Sequence, residues 1–451
     1  MGLHRSCFAS QSLDEAPAPL RSEGTTLSRV RGIKVMIGPS LHALEKGLAA
    51  RGYRAEDAAR VLDVARALDA KKVPTVFSLM HLASLSRTPW SNLRAVVRRE
   101  SEFYRTFTIR KRSGGNRLIC APVPNLRRVQ AWIHKNILRS PGAQALLHPA
   151  ATAYKPDASI LKNAKAHAGA AWMVKLDIKD FFESISERQV YYVFRQLAYP
   201  ALLSFELARL CTRRVPPRHD GLPRAREQLV RWVNWDEDRN AGPYAIEAQV
   251  GHLPQGAPTS AMLANLVVRE LDARIQTIAT QYGATYTRYA DDMVLTLADG
   301  SEETCASVFR EVARVVKRHG FRVNRSKSRV IGPGGRKVVT GLVVNDVKPR
   351  LPKTVKSDIE LAIYHIGKHG LLSHMERRRS KQPLGYLNHL VGRILYCRFI
   401  EPEFGNAAMA ALREALVSNR ELLEIAIAFE PAGVAPKQFH SLYRIIFGAA
   451  S

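Results

Sequence analysis

Two adjacent carboxylates, Asp291 and Asp292, sit where the sequence predicts the bend of a β-hairpin. The incoming Ala284–Tyr289 and the outgoing Met293–Leu297 are rich in the β-branched and aromatic residues that suit a pleated, half-buried surface. Asp favours turns on its own account. A rigidly held acid pair is also a site for hard divalent cations, which take oxygen ligands. A third acid, Asp177, ends the apolar run Met173–Leu176, which reads as a short buried strand. Two such sites converging could hold a pair of metal ions about 3.5–4 Å apart, clamping the attacking and leaving oxygens of an in-line phosphoryl displacement. The demand on the protein is then positioning and charge neutralisation rather than covalent chemistry. After Asp177 the chain is expected to turn into a helix across Ile178–Ile185, with Asp180 read as its cap in preference to a further metal ligand.

Between the acid sites lies Leu253-Pro254-Gln255-Gly256-Ala257-Pro258-Thr259-Ser260, a Gly- and Pro-rich turn running into the apolar helix Ala261–Leu266. Such a turn lets backbone approach a substrate closely, although many loops enter helices this way. Upstream, Tyr104–Ile119 reads as a basic hairpin turning at Ser113–Asn116 and carrying Arg110, Lys111, Arg112 and Arg117. It is equally an ordinary charged hairpin or one whose cations reach a nucleotide's phosphates. Helical patterns precede it from about residue 40, a helix is expected near Leu126–Leu138, and the last hundred residues are mostly helical. The polar, Pro-bearing stretch at about 213–251 reads as an inserted loop or small subdomain.

The 451 residues carry 68 Lys plus Arg against 40 Asp plus Glu, a formal charge of +28. That excess supplies sequence-independent attraction to phosphates, and it is spread over Arg98-Arg99, Arg127-Arg128, Arg213-Arg214 and Arg377-Arg378-Arg379 rather than gathered in a tail. A basic channel for nucleic acid fits this spread, while each cluster alone reads as a solvated face. No apolar run reaches the roughly 18–20 residues needed to cross a membrane, and the start has no apolar signal core. The five cysteines are scattered without C-x-x-C spacing, which points to a reduced, cytoplasmic protein without a zinc site.

The order Leu176-Asp177-Ile178-Lys179-Asp180-Phe181-Phe182, then Leu253–Ser260, then Tyr289-Ala290-Asp291-Asp292, resembles the fingers and palm of a reverse transcriptase. Two further elements resemble the bacterial retron branch, Asn163-Ala164-Lys165-Ala166-His167 before the first acid strand and Val339-Thr340-Gly341; between them Val323–Ser328 is similar to the reverse transcriptase motif that precedes the thumb. The resemblance runs from about Tyr104 to Asn345 and more loosely beyond. Ala261 departs from it where Pro is common, and the 213–251 insert is longer than in compact relatives.

The resemblance implies an α+β right-hand polymerase. On that reading the chain divides into a flexible arm (1–39), a helical region (40–103), fingers and palm (104–345) and a mainly helical thumb (346–451). Asp177, Asp291 and Asp292 would bind two Mg²⁺ ions. Phe182 would exclude a 2′-hydroxyl, its plainer reading being a core aromatic. Gln255 and Gly256 would flank the nascent base pair, Arg112 and Arg117 the triphosphate of an incoming deoxynucleoside triphosphate, and Lys327 the leaving pyrophosphate. Asn163 and His167, on one helix face, read as RNA contacts or as a satisfied structural pair. Val339, Thr340 and Gly341 would form a hairpin under the primer, with Arg377, Arg378, Arg379 and Arg393 as backbone contacts. Retron membership further implies a cognate structured noncoding RNA, priming from a guanosine 2′-hydroxyl, a branched RNA–DNA product and antiphage defence with an effector protein. Two other readings stay open: an intron-encoded or diversity-generating reverse transcriptase, and a noncatalytic RNA-binding scaffold.

Overall fold

The computed structural model describes residues 25–30, 33–110, 114–214, 250–377 and 383–418. Thr25–Val30 (β1) and Ile33–Pro39 (β2) pair antiparallel; most of the expected flexible arm, 1–39, lies outside the described residues. The β-branched Thr25, Thr26, Val30, Ile33, Val35 and Ile37 favour extended backbone there. Four helices follow, Leu41–Ala50, Ala55–Ala70, Leu79–Ser86 and Trp90–Arg98, as the 40–103 pattern predicts. Ser40 and Ser78 cap two of them by accepting from the N–H groups of Ala43 and His81.

Tyr104–Arg110 (β3) and Asn116–Pro122 (β4) form the expected basic hairpin, in register from Tyr104 opposite Pro122 to Arg110 opposite Asn116. The palm is a four-stranded antiparallel sheet of Trp172–Asp177 (β5), Thr285–Tyr289 (β6), Asp292–Leu297 (β7) and Arg329–Ile331 (β8), ordered β6–β7–β5–β8. Central β5 is apolar at four of its six positions, and Met173, Val174 and Leu176 are buried because both faces of the strand are covered. The helix Glu302–Arg318 lays a stripe of Cys305, Val308, Val312 and Val316 on the sheet, with acids in its first turn and bases in its last complementing the helix dipole.

The helix expected over Ile178–Ile185 is absent. Ile178 and Lys179 donate their N–H groups to Asp291 and Arg322 carbonyls on neighbouring segments, and Asp180 turns the chain with φ +49°. The helix begins instead at Glu187 (Glu187–Gln196), with Ser186 and Gln189 forming a capping box. Asp180 is therefore a turn residue rather than a cap: its carbonyl accepts from the Ser184 N–H and Oγ, and its carboxylate lies 3.9 Å from the Arg322 guanidinium.

The insert at about 213–251 falls almost entirely outside the described residues. Its neck is closed by Arg213 and His252, which exchange two N–H···O bonds of 2.9 Å each. Past the palm, the short strands Val338–Val339 (β9) and Leu342–Val343 (β10) lead into helices Lys353–His369, Leu371–Arg377, Pro383–Ile400 and Pro402–Val417. Their core of Ile363, Ile366, Leu387, Leu390, Ile394 and Leu412 is continuous with Met173 and Val294 of the palm sheet. The thumb thus packs one face on the palm, as its apolar periodicity predicts. Among the described residues, no helix is long and apolar enough to cross a membrane.

Candidate active site

Strand register brings the acids together. Asp177, the last residue of β5, stands directly opposite Asp292, the first of β7, while Tyr289 pairs with Asp292 and leaves Ala290-Asp291 as a two-residue turn. Ala290 takes φ +59°, a left-handed backbone that costs a non-glycine residue about 1–2 kcal/mol. The main chain of Asp291 is tied back to the end of β5 by the Ile178 N–H donating to its carbonyl at 3.0 Å.

Cations hold two of these carboxylates. Lys327 Nζ reaches Asp177 Oδ2 at 3.2 Å and Asn324 Nδ2 donates to Asp177 Oδ1 at 2.8 Å. Lys175 Nζ reaches Asp292 Oδ2 at 3.1 Å, a partner that the sequence reading missed. Burial raises the Asp291 carboxyl to about 6, with repulsion from Asp177 and Asp292 adding to it against the pull of its own backbone N–H and of Lys327. Among the described residues, no three His, Cys, Asp or Glu side chains stand ready-grouped as a metal-ligand set. The donor chemistry nevertheless fits a hard divalent cation: three carboxylates at one sheet end, one of them resisting ionisation beside the other two.

Two buried networks brace this end of the sheet. The Arg288 guanidinium, wholly buried, binds both carboxylate oxygens of Asp272 at 2.8 and 2.7 Å, Asn265 Oδ1 at 3.0 Å and the Ala290 carbonyl at 3.0 Å. It therefore holds the strained turn residue directly, and Tyr286 completes the network by donating to Asp272. On the other side, His167 spans Thr296 Oγ1 at 2.8 Å and Thr287 Oγ1 at 2.7 Å, while Asn163 Oδ1 accepts from Thr287 and Thr152. Asn163 and His167 are each 1% exposed, and their side chains brace the palm from within. Burial pushes His167 down to about 4, which keeps the ring neutral.

Beside the acids opens a cleft of about 420 Å³, lined by Phe182, Gln255, Gly256, Arg127 and Tyr154. Phe181 enters the core while Phe182, its ring centroid 5.5 Å away, faces this cleft. The Gln255 carbonyl accepts from the Cys120 N–H at 2.8 Å, fastening the loop to β4. Gly256 has φ +116°, and a Cβ there would lie 3.0 Å from Ile119 and 3.1 Å from the Cys120 carbonyl, so only glycine fits.

The sequence profile of the reverse transcriptase (RNA-dependent DNA polymerase) family matches residues 109–339. The retron Ec73 reverse transcriptase of Escherichia coli is 30% identical over 318 residues, which cover 68% of this chain and 86% of that protein. The chain belongs to the retron reverse transcriptase family. The retron Mx162 reverse transcriptase of Myxococcus xanthus is 33% identical over 326 residues, 69% of this chain but 60% of that longer protein. A solved foamy viral protease–reverse transcriptase aligns over 93% of this chain and 62% of its own, with 12% identity and a TM-score of 0.37.

Family membership, with the basic hairpin, the four-stranded sheet and the C-terminal helices described above, gives the right-hand polymerase class of fold, and the remaining expected site residues distribute over it. Arg117 is exposed on β4, opposite Ile109; Arg112 lies outside the described residues. Lys327 is half-exposed and bound to Asp177. Val339 is buried, and Thr340 (φ +46°) and Gly341 (φ +87°) make the tight turn between β9 and β10. Arg393 pairs with Asp358 at 3.3 Å within the thumb. Arg377 ends a thumb helix, and Arg378 and Arg379 lie outside the described residues. Sequence reasoning did not find Lys175, Arg288, Asp272 or Tyr154. A charged residue inside a strand carries no local sign of whether it points to solvent or to a buried partner.

Proposed function

We propose that this chain copies its own structured noncoding RNA into single-stranded DNA. Synthesis starts from the 2′-hydroxyl of a guanosine and leaves a branched RNA–DNA molecule. The observation that carries the polymerase reading is the cross-strand register of Asp177 and Asp292 with Asp291 at the adjoining turn. Asp177, Asp291 and Asp292 would hold two Mg²⁺ ions, which supply the clamp on attacking and leaving oxygens when bound. Phe182 stands against the sugar of the incoming deoxynucleoside triphosphate, and Gln255 and Gly256 abut the nascent base pair. Lys327 exchanges Asp177 for the leaving pyrophosphate, a short move for a flexible four-carbon stem. Arg117 meets the triphosphate from the fingers hairpin.

The template, in this reading, is held by A-form shape, phosphates and 2′-hydroxyls rather than by base sequence, in keeping with the +28 charge. Retron membership supports the priming mode and a role in antiphage defence with an effector protein. Cytoplasmic residence agrees with Cys120, Cys211, Cys305 and Cys397 all being buried free thiols.

The test is expression of the protein with its native upstream DNA, followed by denaturing gels of copurified nucleic acid before and after RNase and debranching enzyme. A short DNA that shifts on debranching and vanishes in Asp291→Ala supports the whole reading. Normal extension of a supplied DNA primer without any branched species retains the polymerase and rejects the retron priming. Synthesis that survives Asp291→Ala rejects the site.

A further inference from the structure

We propose that Tyr154 is a second aromatic wall of the incoming-nucleotide site, touching the bound deoxynucleotide in the cleft that Phe182, Gln255 and Gly256 share. The inference rests on the polymerase reading above and names a substrate contact that the sequence motifs do not contain.

Three independent observations meet at this residue. The first is anchoring. Residues 150–153 run parallel to the edge strand β6: Arg288 N–H donates to the Ala150 carbonyl at 2.8 Å and Thr152 N–H to the Arg288 carbonyl at 2.9 Å. Asn265 Nδ2 donates to the Ala153 carbonyl at 2.7 Å, so the segment leading to Tyr154 is fixed to the same Arg288–Asn265 network that holds the catalytic turn.

The second is strain without a packing reason. Tyr154 has φ +61°, a left-handed backbone that a bulky side chain seldom adopts, yet its ring is 43% exposed. An aromatic side chain held in a disfavoured conformation, and left more than a third exposed, is not explained by packing in a core it does not enter. Backbone strain of this kind gathers where a side chain must face a ligand.

The third is placement. The ring lies 6.3 Å from that of Tyr289, next to the acid pair, and lines the cleft together with Phe182, Gln255 and Gly256. A flat aromatic face in such a cleft gives a nucleotide sequence-tolerant contact, because every base and sugar offers it an apolar surface. The ring is then the working part and the hydroxyl is dispensable.

The experiment is steady-state incorporation by the full chain on a supplied RNA template and DNA primer, for the wild type, Tyr154→Phe and Tyr154→Ala. Affinity for the template–primer duplex is measured by fluorescence anisotropy alongside. The expected result is a rise of roughly tenfold or more in KM for the deoxynucleotide in Tyr154→Ala, with kcat within about threefold, duplex affinity unchanged, and Tyr154→Phe close to wild type. Equal losses in Tyr154→Phe and Tyr154→Ala, an unchanged KM in Tyr154→Ala, or a matching loss of duplex affinity would each overturn the proposal. A wild type that incorporates nothing refutes the polymerase reading itself and this contact with it; an active wild type with indifferent variants refutes the contact alone. Should Tyr154→Ala unfold, Tyr154→Leu supplies the same comparison with an apolar, non-aromatic side chain.

Discussion

Asp272→Asn tests the buried support of the catalytic turn most sharply. The substitution keeps the side chain's size and one acceptor but removes the carboxylate that neutralises a guanidinium with no solvent exposure. Breaking a buried pair by neutralising one member leaves an uncompensated charge and costs about 3–5 kcal/mol, against a total stability of about 5–15 kcal/mol. For a cooperative unit of about 150–250 residues, that loss lowers the unfolding midpoint by about 6–20 °C. Circular dichroism melts give this number. Incorporation at a temperature where the variant is still folded gives a second one. Arg288 also donates to the Ala290 carbonyl, and a displacement of about 1 Å in the turn costs roughly a hundredfold in rate. Replacing both partners with apolar residues, Arg288→Met with Asp272→Leu, restores most of the stability, because neither charge is then buried. It does not restore the rate, because Ala290 has still lost its donor. An Asp272→Asn melt within 2 °C of wild type, or a fully active double variant, would refute the claim that this pair positions the turn.

Gly256→Ala should cost about 1–3 kcal/mol and raise the KM for deoxynucleotide, since φ +116° and the Ile119 and Cys120 contacts leave the methyl no room; an unchanged KM counts against the loop lying at the base pair. Asp291, held up to about 6, must ionise to take a cation, so the Mg²⁺ concentration for half-maximal incorporation rises about tenfold from pH 7 to pH 5. A flat Mg²⁺ requirement over that range contradicts the assignment. His167 has the opposite sign in stability. Its pKa falls from 6.5 to about 4, so stability is complete above about pH 6.5 and is lost as pH drops toward 4, by up to about 3 kcal/mol, because the unfolded chain binds the proton first. His167→Asn should flatten that acid limb in denaturant titrations and leave RNA affinity unchanged; a variant that loses RNA affinity at full stability would return His167 to the RNA surface.

The parts legible in the sequence were those with a period or a strict local geometry. The β3–β4 hairpin, the helix after Thr259 and the acid hairpin follow from alternation and turn chemistry, and each is present. Asp177 and Asp292 were legible as candidate ligands because one closes and the other opens an apolar strand, and the register sets them opposite each other. The turn at Ile178–Ile185 was misread because its amides are spent on Asp291 and Arg322, distant segments that no local pattern reveals. The one-face reading of Asn163 and His167 needed a helix through both; the helix ends at Lys165 and His167 lies in the turn beyond it, yet both side chains meet at Thr287. Facing inward, they find three threonine hydroxyls, and satisfied hydrogen bonds make burial affordable for both side chains.

Asp272 and Asp291 show why the remainder was illegible. Both are aspartates in the palm, and their roles are set by which cation each one reaches. Asp272 is wholly buried, yet the bidentate guanidinium of Arg288 satisfies it completely, so its charge is spent on structure. Asp291 has no such partner: burial makes its proton hard to remove, and the two neighbouring carboxylates, Asp177 and Asp292, add to that. The first needs nothing further from solution, whereas the second is stabilised by any divalent cation that arrives. The fold draws this distinction with one residue, Arg288, whose side chain ends one network on Asp272 and begins the other at the Ala290 carbonyl. Asp272 is thus neutralised wholly inside the chain, whereas at the sheet end Lys327 and Lys175 pair with Asp177 and Asp292 and leave Asp291 without an ion pair among the described residues.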